Sequence, residues 1–358
     1  MKQILGIVVL IIIICLIYSL FSGKGSRKFV KRLFKICFVY IVVWTAISCL
    51  RNYQFFSNRT TYEPKWTAEL FKNKSQIYEK NLAFVAAEMS EKSEKKVGDE
   101  IKNLYDAYGI DCTELYNYDG GGILHIGESI GDFDGSAFAI GQDTLPINGE
   151  DTLILVITAR GTQTFGELIG DVRKGWPWEK THTFEKQIVW DNVYDFEEEI
   201  WSGLNDYIKK YPSVMEANYL KILVTGHSLG GAAACMTGAR LNGGIGENEW
   251  WSDKVKKEDI YVYTFGAIKV LATDDNVSAG YENIHNLYNY YDSYGPNGNQ
   301  SGWGASSPNA KFGHTDIFYP DPVPEENEKF PSSVNHGMST YKDAINDELI
   351  KCEYIDEN

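Results

Sequence analysis

Val224 to Met236 reads VTGHSLGGAAACM. One serine, Ser228, stands between two glycines, with an apolar run before it and an alanine-rich run after it. Leu220 to Thr225 reads as a buried strand, and the residues from Gly231 onward read as a helix. Gly226-His227-Ser228-Leu229-Gly230 matches G-x-S-x-G, and strand-then-helix is the context in which that motif forms a nucleophile elbow. Side chains flanking so tight a turn would collide, hence the glycines. The same turn pushes the serine out to a solvent-facing tip at the positive end of the following helix. There a hydroxyl meets a base on one side and a substrate carbonyl on the other. The bland alternative is a glycine-rich strand-to-helix turn without chemistry.

The sequence around this stretch is organised as strands alternating with helices. Residues 61–108 read as polar, amphipathic helices. Thr152 to Ala159, TLILVITA, reads as a buried central strand. Phe184 to Pro212 reads as one long amphipathic helix ending at the proline. DIYVYTFGA and IHNLYNYYD supply two more strands. This alternation predicts a mainly parallel central sheet with helices on both faces.

An elbow serine needs a histidine, and the histidine needs an acid, in the chain order Ser, Asp or Glu, His. Of six histidines, His125 and His182 precede the serine, His227 lies within the motif, and His285 begins the strand IHNLYNYYD. Asp292 stands just past the carboxyl end of that strand, where the acid belongs. His314 and His336 follow it and are the two candidates for the base. Asp321, in a literal DPVP, is a second candidate acid, and Asp316 stays open as well.

Five ordered pieces, ITARGT, VTGHSLGGA, YTFGAIKV, NIHNLYNYYD and VNHGMSTY, make the chain resemble the class 3, or fungal-type, lipases of the α/β-hydrolase superfamily over roughly residues 151–345. The resemblance implies Ser228 as nucleophile, Asp292 as orienting acid and His336 as general base. It also implies an oxyanion hole built from Thr162 and the backbone N–H of Leu229. In that family the segment after Thr162 carries a mobile lid; here it contains Phe165, Leu168, Ile169, Trp176 and Trp178, and an ordinary surface helix is the alternative. The loop WGASSPNAKF is a second candidate wall of an acyl groove. Two departures are the SYGP after Asp292 and the VWDNVYDF that replaces a family motif beyond the lid.

The N-terminus is of another kind. Ile4 to Phe21 and Ile36 to Leu50 are uncharged apolar runs separated by a basic connector. The first is just long enough to span a bilayer, and the second is short for a span. With the connector held in the cytoplasm, a hairpin over residues 1–52 would place a domain at 61–358 outside the cytoplasm. A single anchor and a cleaved signal peptide are the other readings. The first sixty residues carry nine basic and no acidic side chains, so a chain of net charge −15 leaves −24 beyond them. So acidic a domain is a poor binder of phosphate backbones, and no nucleic-acid partner is expected. The six cysteines show no metal-type spacing. Neither a metal nor an organic cofactor is expected. Cys235 falls inside the helix after Ser228, where a buried thiol acting as a small hydrophobe is expected.

These observations predict a membrane-anchored serine acyl-ester hydrolase acting on lipid or other carboxylic esters. A non-catalytic lipid- or partner-binding module, and a thioesterase or peptidase on the same fold, are the competing readings. Nothing in the residues fixes the acyl length, the head group or the oligomeric state.

Overall fold

The computed structural model describes residues 64–95, 97–118, 136–161, 180–246, 249–273, 276–290, 292, 310–319 and 336–348. The apolar runs 4–21 and 36–50, Thr162, the five lid residues and Asp321 lie outside the described residues. Among the described residues no helix is long and apolar enough to cross a membrane.

Seven strands form one sheet in the order β1-β2-β3-β6-β7-β8-β9. They are β1 Asp111–Tyr116, β2 Phe138–Ile147, β3 Glu150–Ala159, β6 Leu220–His227, β7 Ile260–Phe265, β8 Ile284–Asn289 and β9 His314–Phe318. β1, β2 and β3 pair antiparallel. Across the rest of this sheet, β3 to β6, β6 to β7, β7 to β8 and β8 to β9, every pairing is parallel, as the alternation of strands and helices predicts. Parallel strands buried on both faces need apolar residues at consecutive positions. On β3, Leu153, Leu155, Ile157 and Ala159 enter one core, while Ile154 and Val156 enter the other. Successive side chains point to opposite faces, so one continuous apolar run serves two cores.

Helices cover both faces. α1 Lys80–Ser93, α2 Asp99–Tyr108 and α5 Met338–Asn346 contribute to the core that holds Ile154 and Val156. α3 Asp191–Lys210 and α4 Ser228–Gly243 contribute to the opposite one. α4 is buried nearly all round, from Ser228 to Ala239. That suits its small residues, which let the helix lie close against the sheet.

Two sequence expectations are corrected. The helix expected over Phe184 to Pro212 begins only at Asp191. The residues before it form a hairpin of β4 Thr181–Phe184 and β5 Gln187–Trp190. Glu185 and Lys186 both take positive φ, 46° and 63°. That pair of values suits a two-residue turn matching the right-handed twist of the strands. Ile188, Val189 and Trp190 favour a strand over a helix, and amphipathic periodicity alone did not register it. The helix after the elbow also starts at Ser228, three residues before the expected Gly231.

Candidate active site

The elbow sits where the carboxyl end of β6 meets α4. His227 is extended, at φ −115°, and Ser228 takes φ +56°, a conformation that costs a non-glycine residue about 1–3 kcal/mol and persists only where its surroundings enforce it. The enforcement is visible in the glycines. A Cβ on Gly226 would lie 2.4 Å from the Gly230 carbonyl oxygen, and one on Gly230 would lie 2.5 Å from that of Ala159. Gly226→Ala and Gly230→Ala are therefore each expected to destabilise the protein by about 3 kcal/mol or more, because the obstructing atoms are backbone. Thermal unfolding checks this, and an unchanged midpoint would contradict the packing. Ser228 is 9% exposed, a correction to the solvent-facing tip expected from the motif.

Asp292 and His336 meet as the motif order requires. His336 Nδ1 lies 2.8 Å from Asp292 Oδ2, and Asp292 is 1% exposed. Its carboxylate also accepts a 2.8 Å bond from the Tyr341 hydroxyl on α5. Burial, and then the neighbouring Asp292 charge, hold the Tyr341 hydroxyl well above its ordinary pKa, so it remains a donor. Gly266, just after β7, has φ +52°, and a Cβ there would lie 2.7 Å from Tyr341 Oη, 3.0 Å from Asp292 Oδ2 and 3.2 Å from His336 Cε1. This glycine leaves room for Asp292 and His336 to meet. The next strand end closes on the serine itself, since Ile268 N–H donates to the Ser228 carbonyl at 3.3 Å.

Among the described residues the Ser228 hydroxyl makes no hydrogen bond to His336. Such contacts are often long without substrate and tighten when it binds. Leu229 is the second residue of α4, so its N–H belongs to the first helical turn, which has no intrahelical acceptor. It is available to a developing oxyanion. Its expected partner, Thr162, lies outside the described residues.

The other candidates fall elsewhere. His314 is the exposed first residue of β9. The strands β6 to β9 are parallel, so it sits at the amino-terminal edge of the sheet, opposite the edge that carries Ser228 and Asp292. Asp316 belongs to the same strand and is not drawn into the Asp292–His336 pair. Ala310, Lys311 and Phe312 at the end of WGASSPNAKF are buried, so that end of the loop packs into the interior and does not line a groove. Cys235 is buried, donates to the Phe312 carbonyl, and has its thiol pushed up to about 12 by burial. It behaves as a packing residue, as expected. Arg160 is buried with its guanidinium 5.7 Å from the centre of the Tyr118 ring.

Among the described residues one group, His182, Asp191 and Asp195, brings possible metal-ligand atoms within 4.8 Å of one another. His182 and Asp191 already bond to each other, and the His182 ring stacks on Tyr194 at 4.1 Å.

Sequence reasoning missed two features. His227 was read only as the variable residue of the motif, yet it is 5% exposed and both ring nitrogens are engaged. Nδ1 bonds Glu94 Oε1 in the turn after α1, and Nε2 lies 2.7 Å from the His336 carbonyl oxygen. Tyr341, the last residue of VNHGMSTY, carries no role in the sequence reading. A tyrosine five residues past the base, on an amphipathic helix, was the available signal for it.

The model of the family Lipase (class 3) matches residues 156–290. No curated protein matches the chain. Similar solved structures include the Rhizomucor miehei triacylglyceride lipase, 16% identical with a TM-score of 0.38 over 67% of this chain and 79% of that one. Lipase II from Rhizopus niveus is 13% identical with a TM-score of 0.39 over 67% and 80%. The nonglycosylated LIP2 lipase of Yarrowia lipolytica is 16% identical with a TM-score of 0.34 over 68% and 78%.

Proposed function

We propose, from the premise that residues 156–290 belong to the class 3 lipase family, that this chain is a carboxylic ester hydrolase working through Ser228, His336 and Asp292. The observation that carries the reading is the 2.8 Å bond from His336 Nδ1 to the buried Asp292 carboxylate, formed beside an elbow that holds Ser228 at positive φ. Ser228 Oγ attacks the ester carbonyl while His336 Nε2 takes its proton. Asp292 accepts a hydrogen bond from Nδ1–H, fixes the tautomer that leaves Nε2 unprotonated, and stabilises the imidazolium that forms. The Leu229 N–H, with Thr162 as its companion, donates to the tetrahedral oxyanion. The imidazolium then protonates the leaving alcohol. Water, activated by the same histidine, releases the acid and restores the serine. A fluorophosphonate probe tests the assignment on the full chain. Covalent labelling mapped to Ser228 is the expected result, and a folded protein that never labels would support the binding-module reading instead.

The segment between Thr162 and Lys180, which lies outside the described residues, is proposed to serve as a lid, with Phe165, Leu168, Ile169, Trp176 and Trp178 as candidate substrate-binding residues. Lipid esters are the proposed substrate class, supported by the family match over residues 156–290. Residues 1–52 are assigned as the membrane anchor, with runs 4–21 and 36–50 as a hairpin and the catalytic domain outside the cytoplasm. The full chain is then expected to stay with the membrane pellet after alkaline carbonate extraction, whereas deletion of residues 1–52 releases a domain that still cleaves a water-soluble short-chain ester. Release of the full chain by carbonate would sink the anchor assignment.

A further inference from the structure

His227 precedes the nucleophile in the chain, and its side chain reaches the main chain of the base. Its imidazole is 6% exposed. Nε2 faces the His336 carbonyl oxygen at 2.7 Å, and Nδ1 faces a carboxylate oxygen of Glu94. Both neighbours are acceptors. A carbonyl has no proton to give, and an ionised carboxylate has none either. The ring therefore serves both only when both nitrogens carry hydrogen, as an imidazolium paired with Glu94. The ring centres of His227 and His336 are 4.5 Å apart. One residue thus fixes the elbow through its backbone and the base through its side chain.

We propose that Glu94 and His227 are positioning residues, a charged clamp from the end of α1 that holds the main chain of His336 in register with Ser228. The proposal rests on the reading of Ser228, His336 and Asp292 as the triad. It gives the helices before the sheet a part in catalysis, since Glu94 is supplied by the turn after α1, 133 residues before His227.

The electrostatics fit the clamp. Burial alone would push His227 down, but the Glu94 carboxylate outweighs it and holds the imidazole above its ordinary value. Burial likewise opposes the ionised form of Glu94, yet the His227 charge draws its carboxyl below the ordinary range. The other groups facing the pair are Lys95, Asp292, His336 and Tyr341, whose ring centre is 6.2 Å from that of His227. A histidine raised in the folded state keeps its ion pair at low pH and loses it as pH rises through the raised value. A carboxyl lowered in the folded state loses the pair only as pH falls through its lowered value. The clamp is closed between those limits. Above the upper one a single ring proton is left for two acceptors, and the grip on His336 competes with the bond to Glu94.

The test is the pH dependence of fluorophosphonate labelling at Ser228, and of kcat and KM for a short-chain ester, in the full chain and in Glu94→Gln and His227→Phe. The unaltered chain is expected to lose rate on the alkaline side. Glu94→Gln is expected to lower kcat at neutral pH by about two- to fivefold and to remove that alkaline limb. Its amide N–H can donate to Nδ1, leaving the ring proton on Nε2 at every pH. His227→Phe is expected to lower kcat about 10- to 100-fold with KM within about twofold, the signature of a displaced base. An alkaline limb that persists unchanged in Glu94→Gln overturns the proposal, as does its absence from the unaltered chain. If Ser228 of the unaltered chain never labels, the triad reading itself fails and the clamp falls with it. Labelling with identical profiles in all three proteins overturns the clamp alone.

Discussion

Ser228→Ala is expected to lower turnover of any ester by about 10⁵–10⁶-fold, to the point of apparent inactivity, because no other group can replace the attacking oxygen. Losing either the nucleophile or its base alone disables the whole unit in serine hydrolases, so the effect is far larger than the strength of any one contact. The substitution should leave stability within about 1 kcal/mol. Alanine meets the same strain at φ +56° as serine does, and among the described residues the hydroxyl makes no hydrogen bond that would be lost. Ester hydrolysis, fluorophosphonate labelling and thermal unfolding of the same preparation check both halves. A folded Ser228→Ala protein that keeps even a tenth of the activity would make the elbow decorative and move the chemistry elsewhere.

The elbow was legible because its constraint is local. Gly226 and Gly230 are required by backbone atoms a few residues away or one strand over, and such constraints select residue types that stand out in one sequence. The sheet was legible for a similar reason. Strands buried on both faces, such as β3 and β6, need unbroken apolar runs. Topology singles out Asp292 as the first acid past the end of β8, with His336 one of the two histidines beyond it, and the structure joins these two side chains. The β4–β5 hairpin was hidden because short strands next to an amphipathic helix share its hydrophobic residues, and the deciding feature, two positive φ values at Glu185 and Lys186, falls on residues that do not announce it. The clamp was invisible for a different reason. Glu94, His227 and His336 are joined only by the fold, and nothing in a glutamate at the end of a polar helix marks it as the partner of a histidine 133 residues away.

Asp292→Asn is the second large effect, an expected fall in kcat of about 10³–10⁴-fold by analogy with the acid of serine proteases. Asp292 Oδ2 accepts from both His336 Nδ1 and Tyr341 Oη, each at 2.8 Å. An amide oxygen in the same place could still accept both bonds, but without the charge that stabilises the imidazolium. An amide nitrogen turned toward His336 would instead favour the tautomer with hydrogen on Nε2, which cannot act as a base. Either orientation costs turnover, and both leave substrate binding nearly untouched, so KM is expected to change little. Tyr341→Phe removes one of the two donors while keeping the carboxylate, and its expected loss is smaller, about 10- to 100-fold, near the value of a single hydrogen bond to a charged group. Asp321→Asn is the discriminating control, since its DPVP offers the other acid that the sequence allows. It is expected to change turnover by less than about tenfold, because His336 Nδ1 is already occupied by Asp292. The three variants, assayed on one ester, rank the acids directly. If Asp321→Asn fell by thousands while Asp292→Asn stayed active, the bond between Asp292 and His336 would be a structural one, and the orienting acid would lie in the segment after β9.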